Sequence, residues 1–250
     1  MAGTLMAHCG AEYVTRDELR TIETPEPMGR WHKPIPHIEL VETLDKVLTG
    51  SGIEIAKEQF AVQKKGRVLF ATFDFAPSEG LADTPEGRGH AMGFRGANDQ
   101  SMPLEIAVGG RIFVCDNMAF APGLVSLKRK HTIGLDLAAE LNTAVGRFVE
   151  QTGSLTKMLE AAEEKVLTED QAKVLIFDAF TKHEVMPSRL FPKVARFFFE
   201  PTEEESPEST DRRSLMDLHN AFTRAAKELK PNRRFDATAK LGGLLTLGCN

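Results

Sequence analysis

The sequence predicts an α+β fold: an N-terminal helix and β-hairpin within a mostly antiparallel sheet, packed by a helical C-terminal half. Three observations carry this reading. Two runs rich in β-branched and aromatic residues, Ile53 to Gln63 and Arg67 to Ala76, flank Lys64-Lys65-Gly66, whose glycine suits a tight turn. Beyond His131 the apolar residues recur at three- and four-residue steps, the period of a helix. The chain of 250 residues is 42% hydrophobic and 27% charged, the ordinary composition of a single large core.

Residues 1–30 are polar and broken by Pro25 and Pro27, which predicts a flexible or loosely docked arm with at most one short helix around Asp17 to Ile22. The core domain is expected over 31–200. It opens on Pro34-Ile35-Pro36-His37, where two prolines enforce an extended lead-in and Pro36 can precede a helix start without wasting an N–H. Leu40, Val41, Leu44, Val47 and Leu48 then line one apolar stripe, and Gly50 stops the helix. In the hairpin Leu69, Ala71 and Phe73 alternate with Phe70, Thr72 and Asp74, so one face meets the core. Ile53 and Ile55 fall out of phase with Phe60 and Val62, which predicts a bulge. Pro77 to Gly89 has the composition of a surface loop. Strands resume at His90 to Arg95 and at Ile112 to Cys115, while Leu104 to Val108 fits strand or helix.

In the helical half, Leu137, Leu141, Ala144, Phe148, Leu155, Leu159, Ala162 and Val166 repeat as one stripe. Thr168 with Gln171 makes a capping box before Ala172 to Phe180, and Pro187 and Pro192 punctuate a shorter segment ending in Phe197, Phe198 and Phe199, read as core aromatics. Residues 201–213 form an acidic linker that has too little apolar surface to order itself. Residues 214–250 are expected to dock on the core through a helix bearing Leu215, Leu218, Phe222 and Leu229 on one face.

A net charge of −5 weighs against a broad, sequence-independent grip on phosphates. Local basic patches remain at Lys64, Lys65 and Arg67; at Lys128, Arg129, Lys130 and His131; and at Lys230, Arg233 and Arg234. Three cysteines, Cys9, Cys115 and Cys249, cannot all pair, which fits a reducing compartment, and the cytoplasm is the expected location. Neither an export signal nor an apolar run long enough to span a bilayer is read, so no membrane association is expected.

Zinc spacing, phosphate-binding loop, dinucleotide fingerprint and nucleophile elbow are all missing from the sequence. No catalytic residue, metal ligand or cofactor is therefore nominated. The richest stretch is Gly93-Phe94-Arg95-Gly96-Ala97-Asn98-Asp99-Gln100-Ser101, followed by Val114-Cys115-Asp116-Asn117-Met118. Asn and Asp there can build turns through side-chain hydrogen bonds. Alternatively Arg95, Asn98, Asp99 and Asn117 gather at one sheet edge as a charged fork beside amides, able to read a phosphate or a base. Lys128, Arg129, Lys130 and His131, with His37, complete the candidate binding set; both histidines suit a ligand contact or a satisfied cap. Trp31, the only tryptophan, is expected to anchor the arm to the core, so that Trp31→Ala destabilises the fold.

Together, Trp31-His-Lys-Pro-Ile-Pro-His37, Gly93 to Ser101, Val114 to Met118 and Arg129-Lys-His-Thr132 resemble the phage- and plasmid-associated family called domain of unknown function 932. Asn220-Ala221-Phe222-Thr223 resembles that family's Asn-Ala-Val-Thr element, with Leu218 and His219 where flanking aromatics are expected. The resemblance implies a mobile-element setting and brings no reaction or catalytic residue with it. Three functions then compete: non-enzymatic binding of single-stranded nucleic acid; protein interaction or homo-oligomerisation; and a divalent-metal-assisted phosphodiester enzyme built on acids near Asp99 and Asp116.

Overall fold

The computed structural model describes residues 11–84, 88–112, 117–202, 213–230, 233–234, 236–238 and 240–241, with backbone alone for 88 and 108–126. Cys9, Cys115, Cys249, Asp116 and most of the expected acidic linker (203–212) lie outside the described residues.

Six strands form one antiparallel meander in chain order: β1 (Glu12–Val14), β2 (Ile55–Gln63), β3 (Val68–Phe75), β4 (Arg88–Ala97), β5 (Leu104–Ile112) and β6 (Asn117–Arg129). The helices are α1 (Arg16–Thr21), α2 (His37–Gly50), α3 (Leu137–Glu164), α4 (Glu169–Thr181), α5 (Phe191–Phe199) and α6 (Leu215–Ala226). The expected α+β architecture is the one observed.

The arm is fixed over its described part. β1 pairs with β2, Thr15 and Glu18 cap α1 reciprocally, and Leu19 is buried. Arg16 clamps the arm from below, donating to Asp45 of α2 and to Glu58 of β2. Polar composition conceals this docking because the polar clamp of Arg16 supplements only a few apolar contacts, those of Val14, Leu19 and Ile22.

Pro36 occupies the N-cap position of α2, and Leu40, Val41, Leu44, Val47 and Leu48 turn inward as their spacing requires. Burying each such leucine contributes about 2 kcal/mol. The hairpin forms with its register shift between Ile55 and Lys57. Leu104 to Val108 is strand, the first half of β5. Strand β5 ends at Ile112, and 113–116 lie outside the described residues. The long strand β6 is not among the expected elements. Pro122 and Gly123 fall where the β5–β6 register shifts, between the pairs Gly109–Phe120 and Ala107–Val125, on an edge strand. There a proline and an irregularity are tolerated.

Leu69, Phe73, Phe94, Ile106 and Leu127 face the main core, over which α2 and α3 pack. Asp136 caps α3, and its stripe from Leu137 to Ala162 is buried. Val166 leaves that stripe: it is half-exposed and bridges to Ser214. Thr168 and Gln171 form the expected capping box. Of the three expected core phenylalanines, Phe198 is fully buried and Phe197 and Phe199 partly so. Helix α6, capped by Ser214 and Asp217, is buried on most of its surface and docks on α3, α5 and β6.

Candidate functional site at the sheet rim

In a meander, every second turn falls at the same end of the sheet. The β2–β3 turn, the β4–β5 turn and the C-terminal end of β6 therefore share one rim, and with them two of the three basic patches. Segment 28–37 crosses this rim and ties it together. His37 Nε2 donates to the Gly66 carbonyl at 2.7 Å, and Ile35 N–H donates to Asn98 Oδ1 at 3.1 Å. Lys33 N–H donates to the His131 carbonyl at 3.2 Å, and Ile133 N–H to the Trp31 carbonyl at 3.1 Å. Asn98 N–H in turn reaches the Arg67 carbonyl at 2.9 Å.

The nine candidate residues differ in what holds them. Asn98, His37 and His131 are buried; the first two are committed to backbone partners. Asn98 thus builds the rim rather than offering an amide to a ligand. Asp99 closes the β4–β5 turn by accepting from Ser101 N–H at 3.0 Å and pairs with Lys64 Nζ at 3.1 Å. Burial alone would push the Asp99 carboxyl up, but the hydrogen bonds of Ser101 and Lys64 outweigh it and hold the group below its ordinary range.

Arg95 lies on the sheet face away from the main core. Its Nε donates to Glu105 at 2.7 Å, directly across β4 and β5, and its Nη2 to Asp236 at 2.6 Å. The other Glu105 oxygen takes Lys128 Nζ at 2.6 Å from β6. Burial works to raise Glu105, and the hydrogen bonds of Lys128 and Arg95 bring it net below the usual glutamate value. Arg95 is thereby engaged by carboxylates through Nε and Nη2, and the expected free fork beside Asn98 and Asp99 is not formed. Arg129 is engaged by Glu140 of α3 at 2.6 Å. Asn117 starts β6 opposite Ile112, near the other end of that strand, and its side chain lies outside the described residues.

Lys130 is the candidate that stays open, and with it stand two cations of the expected hairpin patch and Lys33, which the sequence did not single out. Among the described residues, Lys33, Lys65, Arg67 and Lys130 are exposed at this rim and form no ion pair. Beside Lys33 stands Trp31, 59% exposed, with the Arg30 guanidinium 4.4 Å from its ring centre. Exposed Met28 and Ile133 flank it. Trp31 is therefore a surface ring and not the buried anchor expected. The signal for this was the cationic flanking in Arg30-Trp31-His32-Lys33, which suits a ring standing in solvent.

Not all of the rim is basic. A groove of about 920 Å³ at the hairpin tip is walled by Glu12, Glu18, Glu23 and Glu26 on one side and by Lys64, Lys65 and Arg67 on the other. A polyanion is repelled from the acid wall and favoured on the Trp31 side. Of the third patch, Arg234 is buried and donates to the carbonyls of Ala226 and Lys227, closing the end of α6, while Lys230 and Arg233 stay exposed.

Behind Trp31, three buried histidines meet: His32, His37 and His131. His32 Nδ1 accepts from Met28 N–H, leaving Nε2 without a partner, as are His37 Nδ1 and both nitrogens of His131. Burial lowers His37 to about 4. Burial, then the charges of His37 and His32, lowers His131 to about 4. Among the described residues no group of three or more His, Cys, Asp or Glu is arranged to hold a metal ion, and no helix is long and apolar enough to cross a membrane. Comparison with family models, with curated proteins and with solved structures finds no match.

Proposed function

We propose that this rim binds single-stranded nucleic acid without catalysing a reaction on it. The observation that carries the reading is the exposed Trp31 ring beside Lys33, on a rim that also presents exposed cations without an ion pair from two other parts of the chain, Lys65 and Arg67, and Lys130. A ring open on one side stacks on any unpaired base, and such stacking contributes about 1–3 kcal/mol per base. The four cations supply phosphate partners on either side, too few to grip a duplex broadly and enough to hold a short strand across one ring. The resemblance to a phage- and plasmid-associated family is consistent with such a ligand.

Because Trp31 is the sole tryptophan, its fluorescence reports directly on the site. Titration with a short single-stranded oligonucleotide at low salt is expected to quench it, with affinity falling as salt rises. Absence of binding at low salt refutes the proposal.

A second reading, self-association, rests on a different surface. Val174 and Phe177 of α4 are more than half exposed, and Phe191 at the start of α5 joins them, its ring 5.4 Å from that of Phe180. Light scattering across a concentration series separates the readings: a mass that doubles, and reverts in Phe177→Ser, supports an interface there.

A further inference from the structure

We propose that His32, His37 and His131 form an acid-sensitive latch that holds the Trp31–Lys33 strip against the end of β6, so that proton uptake frees the strip. The consequence for nucleic acid, loss of the stacking ring from its cationic surround, rests on the function proposed above.

The latch is argued from geometry. Among the described residues, its backbone ties to the 130–133 segment are the Lys33–His131 and Ile133–Trp31 hydrogen bonds, closed around the isolated His32–Thr132 bridge. Beneath these bonds the histidines contribute no acceptor to one another's protons: His37 spends its Nε2 proton on Gly66, and neither nitrogen of His131 finds a partner. A neutral imidazole fits this pocket at the cost of one unmet N–H. An imidazolium there has two N–H donors with nothing to accept them and a second cation alongside.

No carboxylate described on the surrounding elements relieves that charge. Strand β4 presents Gly96, and a methyl group added there would sit 3.5 Å from His131 Nε2; β5 presents Leu104 against the same glycine. The start of α2 presents His37, and segment 28–35 presents His32 with cationic Arg30 and Lys33 beyond it. On the β6 end itself stand Lys128, Arg129 and Lys130. The rim acids Asp99, Glu105 and Glu140 are already held by Lys64, by Arg95 and Lys128, and by Arg129. Proton uptake is therefore met by repulsion, and the weakest structure on which repulsion can act is the two-bond seam.

Amide hydrogen exchange on the full chain tests the latch without any nucleic acid. Between about pH 7.5 and about pH 4.5 the protection of the Lys33 and Ile133 amides, corrected for the intrinsic pH dependence, is expected to fall at least about tenfold and to stay well below that of the β3 and β4 amides, which lose only what global stability loses. In His131→Gln the fall is expected to shrink, with His37 left to carry it. Equal loss in the variant, or a seam that stays protected until the whole sheet opens, overturns the proposal. If His131→Gln does not fold, ¹³C-histidine spectra of the wild-type chain decide: buried rings that titrate without moving the Trp31 indole resonance overturn it, and concerted titration supports it. The two proposals fail separately, since a chain that loses seam protection in acid yet never binds an oligonucleotide keeps the latch and loses the nucleic-acid reading, and the converse holds equally.

Discussion

Arg95 and Glu105 face each other across adjacent strands as a nearly dry ion pair, the guanidinium Nε 2.7 Å from the carboxylate. Removing one member leaves the other buried with only its outer partner, Lys128 for Glu105 and Asp236 for Arg95. Arg95→Met is therefore expected to destabilise the chain by less than the roughly 3–5 kcal/mol of a wholly unpaired buried charge, and the double variant Arg95→Met with Glu105→Leu to recover most of that loss. Urea unfolding of the two single variants and the double variant checks this.

Trp31→Ala should behave in the opposite way. The ring is mostly in solvent, so stability is expected to change by less than about 0.5 kcal/mol. Affinity for a single-stranded oligonucleotide should drop about 5- to 150-fold, the equivalent of one missing base stack of about 1–3 kcal/mol. Thermal unfolding paired with a binding titration by fluorescence anisotropy of a labelled oligonucleotide measures both.

The cations are separable from the ring through salt. Changing Lys33, Lys65, Arg67 and Lys130 to glutamine is expected to flatten the dependence of log affinity on log salt by about 0.7 for each phosphate that is no longer neutralised. Changing Arg129, already spent on Glu140, is expected to leave that slope nearly unaltered.

The buried histidines set the acid side of the stability curve. His37 and His131 bind protons less readily in the folded chain, at about 4, than in the unfolded one, whose imidazoles titrate near 6.5. Between those values the unfolded state holds more protons, so stability rises with pH. The contribution is complete above about pH 6.5 and lost as pH falls to about 4, amounting to about 3 kcal/mol per ring. Urea midpoints taken at about pH 7 and about pH 4.5 should show this. His37→Asn, if it keeps the bond to Gly66, should be less acid-sensitive.

Much of this was legible in the sequence because it depends on near-neighbour patterning. The stripe of α2, the hairpin around Gly66 and the reciprocal caps at Thr168 and Gln171 follow from spacings within a few residues. Strand β6 was hidden because Pro122 and Gly123 look like a stop when their edge position and register shift are unknown. The candidate site was half visible. Lys130 and the hairpin cations could be named, but their convergence depends on which strand ends share a rim. Arg95 misled for a related reason: nothing local to it reveals that Glu105 stands opposite and that Asp236, far along the chain, closes over it.

The meander has a consequence for how the molecule assembles. From β2 to β6, each strand can pair with the one made just before it, so the sheet grows by closing successive short connections whose loop entropy is small. Strand β1 is the exception, since its partner emerges only after α1 and α2 have been made. It must wait for β2, so Glu12 to Val14 join the sheet only by closing a long loop through α1 and α2.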